Sequence, residues 1–479
     1  MDAAEFRTQA HKLVDWMADY LQTVETYPVS ARGEPGDILN QLPERAPDVG
    51  EEFDTIFEDF KRVVLPGMTH WQHPSFFAYF NANSSPPSVL AEMLTATLGA
   101  QCMSWATSPA ATELEERMME WLRHMIGLPP GYSGVIQDTG STSTLCAILT
   151  AREVHTRFAV NREGLQGADR LTAYCSTETH SSIEKGIAIA GLGRANLRKV
   201  KVDSSYAMDP DALQKAIRSD RSAGHTPFLV VATLGTTGST AIDPLNEIAD
   251  IAVREGLWLH VDAALAGSAL LLPEMRWMIR GIEHADSFFF NPHKWLFTNF
   301  DCSAYFVKNA DALVRTLGIL PEYLKTQEDH RVKNYRNWGI QLGRRFRALK
   351  LWFVIRSYGV RGLQEKVQKH ITFARDLVRK IDAAPDFELL APVPLQTVCF
   401  RYRPEHITTD ETLNRLNARL LEDLNNTGRL FMSHTVLNGV YTLRMVTGQT
   451  QLEQRHVDNA WELIQERARM LGAHAGQMT

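Results

Sequence analysis

The chain has 479 residues, too many for one simple hydrophobic core, so we expect two or three structural units. Hydrophobic residues make up 44% and charged residues 22%, and the net charge of −6 is spread without a basic stripe, which argues against a nucleic-acid partner. No apolar run predicts a membrane span or a secretory signal, and five scattered cysteines without a CxxC pair favour reduced thiols and a cytoplasmic location.

The N-terminal segment, residues 1–85, is predicted to be helical. Residues 5–24 place apolar side chains at helical spacing, but no local partner precedes the turn-rich stretch 28–36. The aromatic segment HWQHPSFFAYF, residues 70–80, follows further along. We expect the apolar stripe to dock on the main body or on another subunit.

The middle of the chain, residues 86–360, alternates short apolar runs with helical stretches. Strands are predicted at 134–137, 171–176, 228–234, 258–262, 287–290 and 303–307, and helices at 112–126, 142–159, 181–190, 209–219 and 244–255. This alternation predicts an α/β fold with a mostly parallel sheet and helices on both faces. Ligands of such sheets bind beyond the carboxyl ends of the strands.

The last part of the chain is predicted to hold a loop, a long helix and a smaller unit. Residues 321–345 are polar and basic with few apolar anchors, which is typical of a mobile loop. A helix is predicted from about Leu342 to Tyr358. Residues 361–479 then read as a small α+β domain that ends in the helix 452–471.

Three segments carry residues suited to chemistry. The first is the hydroxyl-rich turn 137–144, which opens a helix, where free N–H groups attract a phosphate; a plain serine-rich N-cap is the alternative. The second is 260–267, where Asp262 ends a buried strand and needs a cationic partner, or binds a metal with His260.

The third segment is 287–295, where Lys294 follows an apolar strand. A desolvated lysine loses its proton readily, as an amine that condenses with an aldehyde must; an ordinary surface lysine is the alternative. A phosphate cradle, an acid and a lysine on successive strands are the three functions that pyridoxal 5′-phosphate (PLP) requires. Their combination is more specific than any one of them.

Several longer motifs are similar to those of a known family. They are NPHKW at 291–295, HVDAA at 260–264, ATLGTT at 232–237, SWATSPAATELE at 104–115, FFAYF at 76–80 and LGRRFRALKLWFVIRSYGVRGLQ at 342–364. The chain thereby resembles the group II PLP-dependent decarboxylases, specifically the aromatic-L-amino-acid decarboxylases. The resemblance covers nearly the whole chain and implies PLP fold type I, the aspartate aminotransferase-like fold. It also implies a homodimer with shared active sites, each clasped by the other subunit's N-terminal helices.

The resemblance also implies roles for single residues. Lys294 would form the Schiff base with the cofactor, Asp262 would pair with the ring nitrogen, and Ala264 and His180 would cover the two ring faces. The phosphate would be held by Gly140, Ser141, Thr237 and Asn291, with His293 on the substrate side. The substrate slot would consist of Trp71, Tyr79, Phe80, Ala82, Gln101, Met103 and His293.

Tyr323 matches the proton-donating tyrosine of the family's mobile loop. In relatives, phenylalanine there accompanies aldehyde formation, so tyrosine favours plain decarboxylation, as does histidine rather than asparagine at 180. The alternative is an exposed loop aromatic without a role. The sequence departs from animal members at the phosphate turn, at Asn81–Ala82, at Gln101 and Met103, and at Leu265; most of these changes bear on the substrate ring.

The expected reaction is decarboxylation of tryptophan, 5-hydroxytryptophan, phenylalanine, tyrosine or DOPA to the arylalkylamine and carbon dioxide, with no metal. Alternatives that keep the cofactor are an aromatic aldehyde synthase and a decarboxylase of histidine or another amino acid. A metal-dependent hydrolase built on His70, His73, His260 and Asp262, and an inactive relative that acts as a binding protein, are further alternatives.

Overall fold

The computed structural model describes residues 1–167, 169–319 and 331–475, without the side chains of 474 and 475. These residues form two compact units. The first comprises Met1–Asn81, Arg379–Glu388 and Phe400–Thr479, and the second comprises Ala82–Val378 and Leu389–Cys399. The three-segment division made from the sequence remains a prediction. Among the described helices, none has both the length and the apolar content needed to cross a bilayer.

The N-terminal segment contains helices α1 (Ala3–Thr23) and α2 (Phe53–Asp59). Helix α1 begins after Asp2, whose carboxylate accepts hydrogen bonds from two free backbone N–H groups of the first turn. The Trp16 ring of α1 meets Phe57 and Phe60 edge-on, at centroid distances of 5.8 and 5.4 Å. Phe6, at the start of the predicted apolar stripe, is exposed, and the docking of that stripe on the main body or on another subunit stays a prediction.

The central sheet of the second unit has seven strands. They are β1 (Ser133–Gln137), β2 (Leu171–Ser176), β3 (Leu197–Val200), β4 (Thr226–Thr233), β5 (Trp258–Asp262), β6 (Ser287–Phe290) and β7 (Ser303–Val307), in the order β1-β7-β6-β5-β4-β2-β3. Strands β2 to β6 are parallel, and β7 is antiparallel to both of its neighbours. The predicted mostly parallel sheet is confirmed.

Ten helices of the described residues complete this part of the chain. They are α3 (Pro86–Leu98), α4 (Pro109–Met125), α5 (Gly140–His155), α6 (Val160–Glu163), α7 (Ser182–Ile189), α8 (Pro210–Ser222), α9 (Leu245–Glu255), α10 (Pro292–Trp295), α11 (Ala310–Leu317) and α12 (Arg347–Asp382). Consecutive residues of the central strands are buried on both faces, as a parallel sheet between two helical layers requires. Helix α12 starts five residues later than predicted and is interrupted at Gly359, next to the predicted end.

The predicted mobile loop is only partly described, since residues 320–330 lie outside the described ranges. In residues 331–345, Tyr335 and Trp338 are buried, at 1% and 5% exposure, and their rings meet edge-on. The Arg336 N–H donates to the Met103 carbonyl, and the Gln137 side chain donates to the Trp338 carbonyl. The expectation of few apolar anchors is therefore wrong for this part of the segment.

The C-terminal part is α+β, as predicted. It contains β8 (Phe387–Leu389), β9 (Thr397–Tyr402), α13 (Asp410–Asn426), β10 (Ser433–Leu437), β11 (Val440–Val446) and α14 (Gln454–Ala475), with the sheet order β10-β11-β9-β8. The core here centres on Phe387, whose ring lies 5.1 Å from Tyr402 and 4.8 Å from Trp461.

Candidate active site

The five parallel strands of the sheet end at the same edge, and three candidate residues lie at or shortly after those ends. Asp262 is the last residue of β5, His180 follows β2, and Lys294 follows β6. Strands β5 and β6 are neighbours, with Asp262 in register with Phe289. Lys294 and His180 both lie near enough to the Asp262 carboxyl for their charges to act on it, at the same edge of the sheet.

Asp262 is a buried carboxyl group, 4% exposed, with one oxygen accepting the Ala264 N–H at 3.0 Å. Burial raises its pKa above the ordinary value, and the Ala264 N–H, Lys294 and His180 act in the opposite direction. A buried carboxylate keeps its charge most easily beside a cation. A protonated ring nitrogen is a cation of this kind, so the environment of Asp262 fits the cofactor.

Lys294 lies in the short helix α10, whose main chain is fixed on both sides. The Lys294 N–H donates to the Asn291 carbonyl at 2.8 Å, and the Asn83 side-chain amide donates to the Lys294 carbonyl at 2.6 Å. The next residue, Trp295, is fully buried and donates from Nε1 to His370 Nδ1. Lys294 is half-buried, unlike a fully exposed surface lysine. The sequence identifies Asn83 only as a turn residue and His370 only as a helix residue. It therefore did not predict their contacts with the Lys294 segment.

His180 is held by the start of α7. Its Nδ1 lies 2.9 Å from the Ser182 hydroxyl and accepts the Ser182 N–H at 3.2 Å. Burial lowers the pKa of the imidazole, Asp262 raises it, and Lys294 and Lys185 lower it. Because Nδ1 accepts a hydrogen bond, the neutral ring carries its proton on Nε2.

The hydroxyl-rich turn lies beside Asn291. A Cβ on Gly140, the first residue of α5, would come within 2.6 Å of the Phe289 ring and 3.1 Å of Asn291 Nδ2, so a residue without a side chain allows this approach. Asn291 Oδ1 is buried and has no hydrogen-bond partner among the described residues. A phosphate accepts hydrogen bonds, so Asn291 can serve it only through the Nδ2 donor, which lies beside the N-terminus of α5. Ser141 and Thr237 are exposed.

The predicted substrate-side residues of the second unit have defined partners. His293 is buried, and its Nδ1 accepts the Cys302 N–H at 2.9 Å. Burial, with a smaller effect of Lys294, lowers the pKa of His293 to about 3, so the ring is neutral with its proton on Nε2. Gln101 accepts the Arg344 N–H through its side-chain oxygen at 2.8 Å, and Met103 is half-buried, as is Ala82.

Three predicted pocket residues belong to the first unit. Trp71 stacks on Tyr79 at 5.9 Å, and the Arg444 guanidinium lies 4.7 Å from the Phe80 ring centroid and donates to the Tyr79 carbonyl. These aromatic side chains are therefore neighbours, and their contact with substrate remains a prediction. Tyr323 lies outside the described residues.

The residues of the alternative metal site have other partners. His70 shares a hydrogen bond with Tyr20, His73 accepts the Ser75 N–H, and His260 stacks on Phe289 with Nδ1 bonded to the Ser287 hydroxyl. Within residues 1–167, 169–319 and 331–475, no three histidine, cysteine, aspartate or glutamate side chains are arranged to hold a metal ion. The geometry therefore gives the hydrolase alternative no support.

Comparisons with known proteins identify the family of this chain. Residues 35–403 match the family model described as the pyridoxal-dependent decarboxylase conserved domain. The chain is 43% identical to phenylacetaldehyde synthase of Arabidopsis thaliana, over 98% of this chain and 97% of the relative. It is 42% identical to tyrosine decarboxylase 2 of Narcissus pseudonarcissus, over 98% and 95%.

Solved structures give the same result. Catharanthus roseus tryptophan decarboxylase in complex with L-tryptophan superposes with a TM-score of 0.93 at 40% identity, covering 98% of this chain and 99% of that one. Oryza sativa TDC with PLP and tryptamine has a TM-score of 0.94 at 37% identity, with the same coverage. The predicted fold type and cofactor are thereby confirmed. This chain belongs to the pyridoxal-dependent decarboxylase family, and its cofactor is pyridoxal 5′-phosphate.

Proposed function

We propose that this chain decarboxylates an aromatic L-amino acid and releases the arylalkylamine and carbon dioxide. The observation that carries the proposal is that Lys294, Asp262 and His180 lie at or after the ends of β6, β5 and β2 at one edge of the sheet, close enough for their charges to interact. Relatives named for tyrosine and tryptophan decarboxylation, which align over nearly the whole chain, support the substrate class.

When bound, the cofactor supplies an electron-accepting ring that takes up the electron pair left as carbon dioxide departs. Lys294 provides the primary amine to which the cofactor attaches. Ionised Asp262 would keep a proton on the ring nitrogen, and His180 and Ala264 would be the residues that cover the ring. Gly140, Ser141, Thr237 and Asn291 would hold the phosphate through N–H and O–H donors at the start of α5 and beside it.

The aromatic side chains Trp71, Tyr79 and Phe80 would orient the flat substrate ring, together with Ala82 and His293 and with Gln101 and Met103 of the partner subunit. The mutual contacts of Trp71 with Tyr79 and of Phe80 with Arg444 are consistent with a rigid slot. Tyr323 delivers the proton that replaces the carboxylate on the substrate carbon. Closing such a site excludes water and limits side reactions.

The enzyme works as a cytoplasmic homodimer with shared active sites, in which Gln101 and Met103 serve the partner's substrate. Helix α3 supports an interface, because Leu90, Leu94 and Leu98 form an apolar face that is about half exposed or more. A cytoplasmic location agrees with the five free, buried cysteines.

A second candidate is an aromatic aldehyde synthase, because a 43% identical relative is named phenylacetaldehyde synthase. That outcome consumes oxygen and water and releases aldehyde, ammonia and hydrogen peroxide in addition to carbon dioxide. Tyr323 and His180 favour the amine. A panel of tryptophan, 5-hydroxytryptophan, phenylalanine, tyrosine, DOPA and histidine, with carbon dioxide, amine, aldehyde and peroxide all measured, separates the two outcomes.

The Lys294→Ala variant tests the site itself. We expect it to lose the visible absorbance of the bound cofactor and to reduce turnover by on the order of 10⁴-fold or more, as for loss of a covalently acting residue. Lys308→Ala is the matched control, since Lys308 follows the antiparallel strand β7 and lies at the opposite edge of the sheet. Retained turnover in Lys294→Ala would refute the assignment.

The Tyr323→Phe variant tests the choice between amine and aldehyde. Without the phenol proton donor, we expect amine yield to fall and aldehyde and peroxide to rise at the same rate of carbon dioxide release. The ratio of amine to carbon dioxide measures this change. An unchanged ratio would remove Tyr323 from the mechanism.

A further inference from the structure

The first unit contains a cavity of about 480 Å³. Its lining residues come from four segments of that unit, residues 25–32, 73–75, 427–430 and 455–463. None of these segments carries a residue to which a cofactor or substrate role is given above. Because a pocket of this volume lies in the range that binds small molecules, the charges and apolar side chains of its lining indicate which ligand it fits.

Arg32 is held at the cavity by the turn that follows α13. Its Nη2 donates to the Thr427 carbonyl at 2.7 Å. A Cβ on Gly428 would lie 3.1 Å from Arg32 Cζ, and Gly428 has a φ of +68°, so a glycine here leaves room for the guanidinium. The next residue, Arg429, adds a second guanidinium to the lining. Among the described residues, neither arginine is paired with a carboxylate.

The third arginine of the lining is already neutralised. Arg455 donates from Nη1 and Nη2 to the two Glu25 oxygens, at 2.8 and 2.7 Å, and from Nε to Glu453 at 2.8 Å. The hydrogen bonds from Arg455 hold the pKa of Glu25 at about 2, so this carboxylate stays charged and paired. Because Arg455 takes up the Glu25 charge, Arg32 and Arg429 remain as two arginines of the lining whose charge is not compensated.

Buried apolar side chains also line the cavity. Leu430, Ala460 and Leu463 are 1%, 4% and 3% exposed, and the half-buried Tyr27 adds an aromatic ring. A lone phosphate ion would fill only a small part of the space and would leave this apolar surface uncovered. The lining therefore fits a ligand that joins an anionic group to an apolar part.

We propose that the cavity binds a phosphate monoester with a small apolar body. At pH 7 such a phosphate carries a charge of about −1.5 to −2, which matches the two guanidinium groups of Arg32 and Arg429. The planar fork of arginine donates two parallel hydrogen bonds to phosphate oxygens. The apolar body contacts Leu430 and Leu463 and removes apolar surface from water. This ligand binds independently of the substrate and of the reaction proposed above.

Titration calorimetry of the PLP-loaded enzyme with phenyl phosphate tests the site, because bound PLP keeps the probe out of the cofactor's own phosphate site. Arg32→Met and Arg429→Met each keep an apolar stem and remove one guanidinium, so each should weaken binding by about ten-fold or more. Arg419→Met is the matched control and should bind like the wild type, since Arg419 is an exposed residue of α13 outside the four segments. Inorganic phosphate lacks the apolar body and benzoate carries a single charge, so both should bind about ten-fold more weakly than phenyl phosphate or weaker still.

The thermal unfolding midpoint gives a second readout, because a ligand that binds the folded chain and not the unfolded one raises it. Phenyl phosphate should raise the midpoint in the wild type and in Arg419→Met, and should raise it less in the two cavity variants. The visible absorbance of bound PLP shows that each variant is folded. The absence of saturable binding up to about 10 mM, or equal affinity in the wild type and both cavity variants, overturns the proposal. An equal loss in Arg419→Met also overturns it, and so does inorganic phosphate or benzoate that binds as tightly as phenyl phosphate.

Discussion

Gly267 shows how one small residue controls the position of the catalytic segment. A Cβ on Gly267 would lie 2.2 Å from the Phe290 Cβ and 2.7 Å from its Cγ, and these atoms are part of the buried end of β6. The Cβ cannot move without the Phe290 backbone, so rotation of the side chain does not relieve the closest contact. Asn291 and Lys294 follow directly on the chain, so any displacement of Phe290 reaches the site.

The Gly267→Ala variant should therefore lower both stability and cofactor affinity. Overpacking of this kind costs about 1–3 kcal/mol. Gly362→Ala is the matched control: a Cβ there would have its nearest neighbour 3.7 Å away, within helix α12, and the change should stabilise by about 0.4–1 kcal/mol. Urea unfolding gives the stability, and fluorescence titration with PLP gives the affinity. Equal behaviour of the two variants would contradict the packing argument.

Helix α12 fixes the segment that faces His293. Arg347, its first residue, donates from Nε and Nη2 to the two oxygens of Asp301, at 2.8 and 3.1 Å. Burial alone would raise the pKa of Asp301, but the Arg347 guanidinium more than offsets it, so the pKa lies below its ordinary value. The next residue, Cys302, donates its N–H to His293 Nδ1. The ion pair therefore supports the tautomer of His293.

Arg347→Met should destabilise the second unit by about 1–3 kcal/mol, because a largely buried carboxylate loses its bidentate partner. It should also weaken substrate binding through His293. Arg415→Met is the control, since Arg415 forms an exposed pair with Glu411 within one turn of α13 and should change stability by less than about 0.5 kcal/mol. Urea midpoints and KM values measure both effects; matching losses in the two variants would contradict the role given to burial.

Much of the fold of the whole molecule could be predicted from the sequence, because several strands have clear local patterns of apolar and polar residues. Strands β2, β5, β6 and β7 are buried apolar runs with polar ends, and their predicted bounds agree with the structure. Strand β3 was missed because Arg198 and Lys199 interrupt its pattern at the sheet edge.

The misses at longer range have one physical cause. Burial of Tyr335 and Trp338 depends on contacts with Met103 and Gln137, which lie far away in sequence. The packing of Trp16 on Phe57 and Phe60 and the bond from Asn83 to Lys294 are of the same kind. Periodicity reports which face of an element is apolar, but it does not report what covers that face.

Buried neutral histidines set the response of the whole molecule to acid. Burial lowers the pKa of His73 to about 4, and that of His260 and His293 to about 3, from an ordinary value of 6.5. Below pH 6.5 the unfolded chain binds protons at these positions while the folded chain does not. Their contribution to stability is therefore complete above pH 6.5 and is lost as the pH falls toward the folded values.

Each of these histidines should remove about 1.4 kcal/mol of unfolding free energy for every pH unit below about 6. His260→Phe keeps a flat ring against Phe289 and removes one titrating group. The slope of its unfolding free energy against pH should therefore be smaller than that of the wild type by the contribution of about one proton. His11→Gln, at an exposed position on α1, should leave the slope unchanged. Urea unfolding of the three proteins between pH 7.5 and about pH 5 measures these slopes. If His260→Phe and wild type have the same slope, burial of His260 does not control its protonation.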